Sequence, residues 1–230
     1  LEDLGQRRVS GPVLAAFRSF FNNDAWAEGQ ALQDAYGAMA VVLAEAIAPC
    51  AGVVGLELMN EPVVFDDDKL HAFHVRVGEA VRAAAPGLPL VFEPDTIRNY
   101  TDSDAVNYPF PLDNSVYAPH IYTDVFIDGW ADRDADKLRA SISAAAAEAQ
   151  AHGAALMIGE FGHDPTTALG REWIGVALPA LDSVQGSWAF WVFEEWGQGQ
   201  WGLFDVVEGP GRGALRPEAA ALLARPFPQA

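Results

Sequence analysis

Short apolar runs alternate with longer stretches of helical period along this chain. The first run, Val53 to Leu58, leaves a Gly-bounded turn and ends in Asn60-Glu61-Pro62. Its length suits a strand, and Pro62 ends the ladder because it has no N–H to donate. Runs with the same grammar cover Leu88 to Glu93, Val116 to His120, Ala155 to Glu160 and Gly186 to Phe193. Unbroken apolar runs of this length predict strands buried on both faces, as in a parallel sheet.

Between the runs the period changes to that of a helix. Leu32, Tyr36, Met39, Leu43 and Ile47 predict a helix with these residues inward, stopped by Pro49. Leu70, Phe73, Val77, Val81 and Ala84 predict the next, opened by the acidic cap Asp66-Asp67-Asp68 and closed by Pro86-Gly87. His71 and His74 lie three apart on it and read as ordinary surface or groove residues. Leu138, Ile142, Ala145 and Ala149 predict a third, with Gly153 as its C-cap. A weaker helix is expected over about 169–181, and a last one from Pro217 to before Pro226. The first 30 residues read as loop and short helix, with a turn at Gly11-Pro12.

Strand–helix alternation of this kind implies α/β architecture with function at the C-terminal ends of the strands. Those ends carry Asn60-Glu61, Glu93, His120-Ile121-Tyr122, Glu160 and Trp191. In an eight-stranded (β/α)8 barrel all of them converge on one face. Five strands are legible, and residues 1–30 are too few for three more β/α units.

The chemistry follows from the carboxylates. Two glutamates at strand tips, Glu61 and Glu160, suit a double displacement at a glycosidic bond. One carboxyl is the acid/base and the other the nucleophile, about 5 Å away. Asn60 could bond a sugar 2-hydroxyl. His120 and Tyr122, two apart on a strand, point the same way; Tyr122 could donate to a nucleophilic carboxylate and His120 to a sugar hydroxyl. Trp191, Trp196 and Trp201 could supply apolar platforms for pyranose faces, whereas Trp188 should face the helices. Glu93 is either a substrate contact or a structural carboxylate.

Composition narrows the partners. The 230 residues carry 32 acidic and 14 basic side chains, a net charge of −18. A polyanion is repelled by such a chain, which excludes nucleic acid and disfavours anionic membranes. Neutral sugars meet no such barrier. No apolar run reaches the length of a transmembrane helix. Cys50 is the only cysteine. No internal disulfide can form, and its position predicts a small buried hydrophobe.

Taken in order, these motifs resemble glycoside hydrolase family 5, and within it the endoglycoceramidases and their glycosylceramidase relatives. The resemblance is carried by Glu57-Leu58-Met59-Asn60-Glu61-Pro62, Phe92-Glu93-Pro94, Tyr117-Ala118-Pro119-His120-Ile121-Tyr122, Gly159-Glu160-Phe161-Gly162 and the closing Arg225-Pro226-Phe227-Pro228-Gln229-Ala230. It implies a retaining enzyme without cofactor or metal that splits the β-glucosidic bond between glycan and ceramide. It also implies Glu61 as acid/base, Glu160 as nucleophile, Asn60 on the 2-hydroxyl, Tyr122 and His120 in support and Trp191 as platform.

The same resemblance makes residues 1–230 a partial catalytic barrel, strands four to eight. The N-terminal strands and the β-sandwich that follows in such enzymes have no counterpart here. Leu1 in place of Met fits an N-terminal portion that is missing. Open barrel edges could favour self-association. Secretion is what the family implies. A lipid aglycone would need an apolar slot, for which Val63, Val64, Phe65, Val125, Phe126 and Ile127 are the candidates. The alternatives are an endo-β-glucanase or mannanase acting on polysaccharide, and an inactive carbohydrate- or lipid-binding fragment.

Overall fold

The computed structural model describes residues 9–26, 29–101, 109–126, 134–195, 200–207 and 211–224. Among them five strands alternate with helices. In chain order these are α1 (Gly11–Phe21), α2 (Leu32–Ile47), β1 (Leu56–Glu57), α3 (Asp67–Ala84), β2 (Leu90–Phe92), α4 (Arg98–Thr101) and β3 (Ser115–Tyr117). They continue with α5 (Ala135–His152), β4 (Ala155–Phe161), α6 (Ala168–Ser183), β5 (Ser187–Phe190) and α7 (Pro217–Leu223). No helix among the described residues is long and apolar enough to cross a membrane.

The chain forms two compact units. The first comprises Leu1–Arg98, Asp104–Ala118 and Glu148–Ala155; the second comprises Asn99–Ser103, Pro119–Ala147 and Leu156–Ala230.

In the first unit β1, β2 and β3 pair in parallel, with Leu56 opposite Leu90 and Val91 opposite Val116. The predicted stripe of α3 is its buried face: Leu70, Phe73, Val77 and Val81 are at most 1% exposed. Phe73 meets Phe20, Phe21 and Tyr36 edge-on at 5.5, 5.6 and 5.8 Å between ring centres. Asp66 caps this helix, accepting from the Lys69 N–H at 3.1 Å. The other end is fixed by Arg82, whose guanidinium donates to the carbonyls of Pro86, Leu88, Asp113 and Asn114 at 2.7–3.2 Å. Those carbonyls precede β2 and β3, so one side chain ties the helix to the starts of two strands. Deeper in the unit, Glu148 accepts from Arg98 at 3.0 Å and from Tyr117 at 2.8 Å.

Four expectations for this unit need correction. On α2 the buried residues are Gln33, Gly37, Ala40 and Ala44, whereas Met39 is 50% and Leu43 42% exposed. The helix is apolar nearly all round, and its small side chains let it approach α3 more closely than the predicted stripe would. Gly11-Pro12 opens α1 instead of making a turn, since Pro in the first helical turn forfeits no hydrogen bond. His74 is buried, with its ring against Phe73, Phe92 and Phe110, and does not lie at the surface. Cys50 is exposed, because it lies in the turn that follows α2 instead of in the core.

In the second unit β4 and β5 pair in parallel, with Ile158 opposite Trp188. Residues 119–121 run alongside β4: Gly159 N–H donates to Pro119 O and Ile121 N–H to Glu160 O. The core gathers Ile121, Leu138, Ile142, Ile158, Phe161, Trp173, Ile174 and Leu178. Trp173 satisfies its indole N–H on the Thr123 carbonyl at 2.9 Å. Trp188 packs against this core, edge-on to Phe161, on the helix-facing side as expected.

Four of the five strands are shorter than their apolar runs, and β4 is one residue longer. β1 keeps two of the six residues from Val53 to Leu58, because regular pairing there spans only the stretch opposite Leu90 and Val91.

Candidate active site

The first unit holds Asn60, Glu61 and Glu93. Ladder bonding from β1 ends where Leu58 N–H donates to Val91 O at 2.9 Å. The chain then turns at Glu61, whose φ of +46° is left-handed. A non-glycine residue there costs roughly 1–2 kcal/mol, and such outliers gather at functional sites. Glu61 is 5% exposed. Asn60 beside it is exposed to solvent. Glu93 follows β2 and is 1% exposed.

Beyond Glu61, Val63, Val64 and Phe65 face an open cleft of about 340 Å³, whose other apolar wall is Leu14, Phe17 and Phe21 of α1. Arg18 and Lys69 stand on it as cations. Three of the residues expected to form an apolar slot thus line a cleft, but one of mixed character, since Asn22 and Asp66 join the two cations on its wall.

The second unit gathers His120, Tyr122 and Glu160. Tyr122 Oη donates to Glu160 Oε2 at 2.7 Å, and His120 Nδ1 lies 3.4 Å from the same oxygen. His120 is 1% exposed while the Glu160 side chain keeps 17% of its surface, so the carboxylate is held by a buried neighbour and stays partly accessible. The sequence brings this about simply. Residues 119–121 pair with β4, which puts two alternate side chains of one segment beside the glutamate that ends the other.

Trp191 follows β5, donates its N–H to Phe161 O at 2.9 Å and is 47% exposed. The Trp191–Val192 peptide is cis. Gly162, next after Phe161, sits against that backbone: a Cβ on it would lie 2.2 Å from the Trp191 carbonyl oxygen. An exposed aromatic group continues from Tyr122. Phe126 stacks on Trp201 at 5.8 Å, and Trp201 stacks on His163 at 5.9 Å. Tyr100 meets Phe126 edge-on at 5.9 Å. Trp201 was expected near the site. His163 and Tyr100 were not, and only the position of His163, directly after Gly162, hinted at it. Trp196, Ile127 and the closing run Arg225 to Ala230 lie outside the described residues.

Among solved structures, endogalactoceramidase is similar to this chain with a TM-score of 0.80 at 23% identity, covering 96% of this chain and 52% of that one. The ganglioside GM3 complex of endo-glycoceramidase II from Rhodococcus sp. has a TM-score of 0.77 at 21% identity, covering 94% and 50%. The lactosyl-enzyme intermediate of the same enzyme has a TM-score of 0.74 at 22% identity, covering 92% and 50%. The chain therefore spans about half the length of these relatives. No curated protein matches the sequence. The fold is of the (β/α)8-barrel type, represented by five parallel strands. The sequence evidence goes further than the fold: residues 19–196 match the cellulase model of glycosyl hydrolase family 5, and the chain belongs to that family.

Proposed function

We propose that this chain carries the catalytic half of a retaining β-glycosidase that releases ceramide from glycosphingolipids. Glu160 is the nucleophile and Glu61 the acid/base. In the first step a Glu160 carboxylate oxygen bonds the anomeric carbon as the glycosidic C–O bond breaks, and Glu61 gives its proton to the departing oxygen. In the second, water attacks the same carbon, Glu61 takes its proton, and Glu160 leaves as carboxylate. Asn60 holds the sugar 2-hydroxyl, His120 a neighbouring hydroxyl, and Trp191 the pyranose face.

The observation that carries this reading is the Tyr122–Glu160 hydrogen bond. A phenol donating to one carboxylate oxygen stabilises the anionic form that a nucleophile needs. A lipid aglycone is favoured over polysaccharide by two groups of apolar side chains: Val63, Val64 and Phe65 with Phe17 and Phe21 on the walls of the cleft, and exposed Phe126 beside Trp201.

The test is mass spectrometry of products from lactosylceramide incubated with the full-length protein and detergent. Free ceramide with intact lactose is the expected result, and Glu160→Gln should lower turnover below a tenth of wild type. Galactose with glucosylceramide would move cleavage to the terminal sugar. Absence of turnover on lactosylceramide, with turnover on β-glucan, would replace the lipid substrate by polysaccharide.

A further inference from the structure

The loop that follows Glu61 cannot be held by the strand ladder, because Pro62 has no N–H and regular pairing stops at Leu58. It is held instead by a side chain. Asp95 Oδ2 accepts from the N–H groups of Val64 and Phe65 at 2.8 and 2.7 Å. Its other oxygen, Oδ1, accepts from the Ile97 N–H at 2.9 Å. A fourth bond, Thr96 N–H to Pro62 O at 2.8 Å, closes the brace. Residues 62–65 are thereby fastened to residues 95–97 at both ends.

The segment needs fastening. Glu61 and Phe65, on either side of residues 62–64, have φ of +46° and +51°. Each conformation is disfavoured for a residue with a side chain and persists only where the surroundings impose it. Two charge-assisted bonds to one carboxylate oxygen, among the stronger kinds of hydrogen bond, are what impose it here.

We propose that Asp95 is a positioning residue for Glu61: it holds the left-handed turn that aims the acid/base carboxyl. This rests on Glu61 being the acid/base. It touches no substrate, and its effect is confined to steps in which Glu61 moves a proton.

That confinement gives the test. Kinetics of the full-length protein are compared for wild type, Asp95→Ala, Asp95→Asn and Glu61→Ala on whichever aryl β-lactosides or β-cellobiosides the wild type hydrolyses. Leaving groups run from dinitrophenol, which needs no protonation, to phenol, which does. Asp95→Ala should lose about 30-fold in kcat/KM on the phenyl glycoside, less than the roughly 10²–10⁴ that removing a general acid outright would cost, and under about 3-fold on the dinitrophenyl one. Asp95→Asn, which keeps one acceptor oxygen, should recover part of the loss and stands in if the alanine variant does not fold. A loss equal across leaving groups, or none, in the Asp95 variants while Glu61→Ala is leaving-group dependent overturns the positioning role alone. If Glu61→Ala is itself insensitive to the leaving group, the acid/base reading fails and this inference with it.

Discussion

Tyr122 Oη donates to Glu160 Oε2 across 2.7 Å, from a residue that is 5% exposed to a carboxylate that keeps 17% of its side-chain surface. In the proposed mechanism this bond weakens while Glu160 is an ester and strengthens again as Glu160 leaves as an anion in the second step. Tyr122→Phe should therefore slow that step and lower kcat about 100-fold, at the low end of what loss of one aimed donor costs elsewhere. Stability should change by no more than about 1 kcal/mol. Steady-state kinetics beside thermal melting check this. A large drop in melting temperature with little change in kcat would make the bond structural.

Gly162 is required by contact with backbone, which cannot step aside. A methyl group there would lie 2.2 Å from the Trp191 carbonyl oxygen. Gly162→Ala should cost about 2 kcal/mol or more by overpacking. It should also displace the Glu160-Phe161 tip of β4. Melting temperature and turnover should fall together, and a variant that melts like wild type would refute the clash.

The Arg98–Glu148–Tyr117 cluster is a separate structural element of the first unit. Arg98 is 2% exposed and its bond to Glu148 is 3.0 Å. Removing one partner of a buried pair commonly costs about 3–5 kcal/mol, since the other charge is left in a poor environment. Glu148→Ala should therefore lower stability by about 3 kcal/mol in urea titrations. Arg98→Met combined with Glu148→Leu should recover much of it.

Tyr36 gives a pH dependence. Its hydroxyl donates to Leu58 O at 2.7 Å. Burial, and then the charge of Glu57, raise its pKa above the ordinary 10.0. The unfolded chain loses this proton near pH 10 while the folded chain keeps it, so unfolding releases protons. The contribution of Tyr36 is thus whole below pH 10 and is lost as pH climbs through the folded value. Tyr36→Phe should flatten the alkaline loss of stability, read by melting at pH 8 and at pH 11. Equal slopes for the two proteins would contradict the shift.

The alternation of strands and helices was legible because apolar runs and helical periods are local signals. Five of the predicted helices match the structure within a few residues, including α3 with its Asp66 cap and α5 with Gly153 at φ +68°. Glutamates at strand tips were legible for the same reason. The inward face of α2 was not. Its sequence is apolar over adjoining faces, so periodicity cannot choose between Met39 and Leu43 and their neighbours Ala40 and Ala44, about 100° round the helix. Packing chose the small residues. Asp95 was also invisible, because it acts on backbone N–H groups some 30 residues away, and no spacing rule records that. His163 gained its place only through its stacking on Trp201.

Arg82 gathers four carbonyls where β2 and β3 begin, whereas Glu61 and Glu93 lie where β1 and β2 end. On the proposed function, stabilising contacts and chemistry thus lie at opposite ends of the strands. A lineage could trade substrates by rewriting the loops around Glu61 without loosening the bolt at Arg82. The reverse also holds: a protein weakened at Arg82 would melt early and yet, until it melted, cut its bond at the old rate.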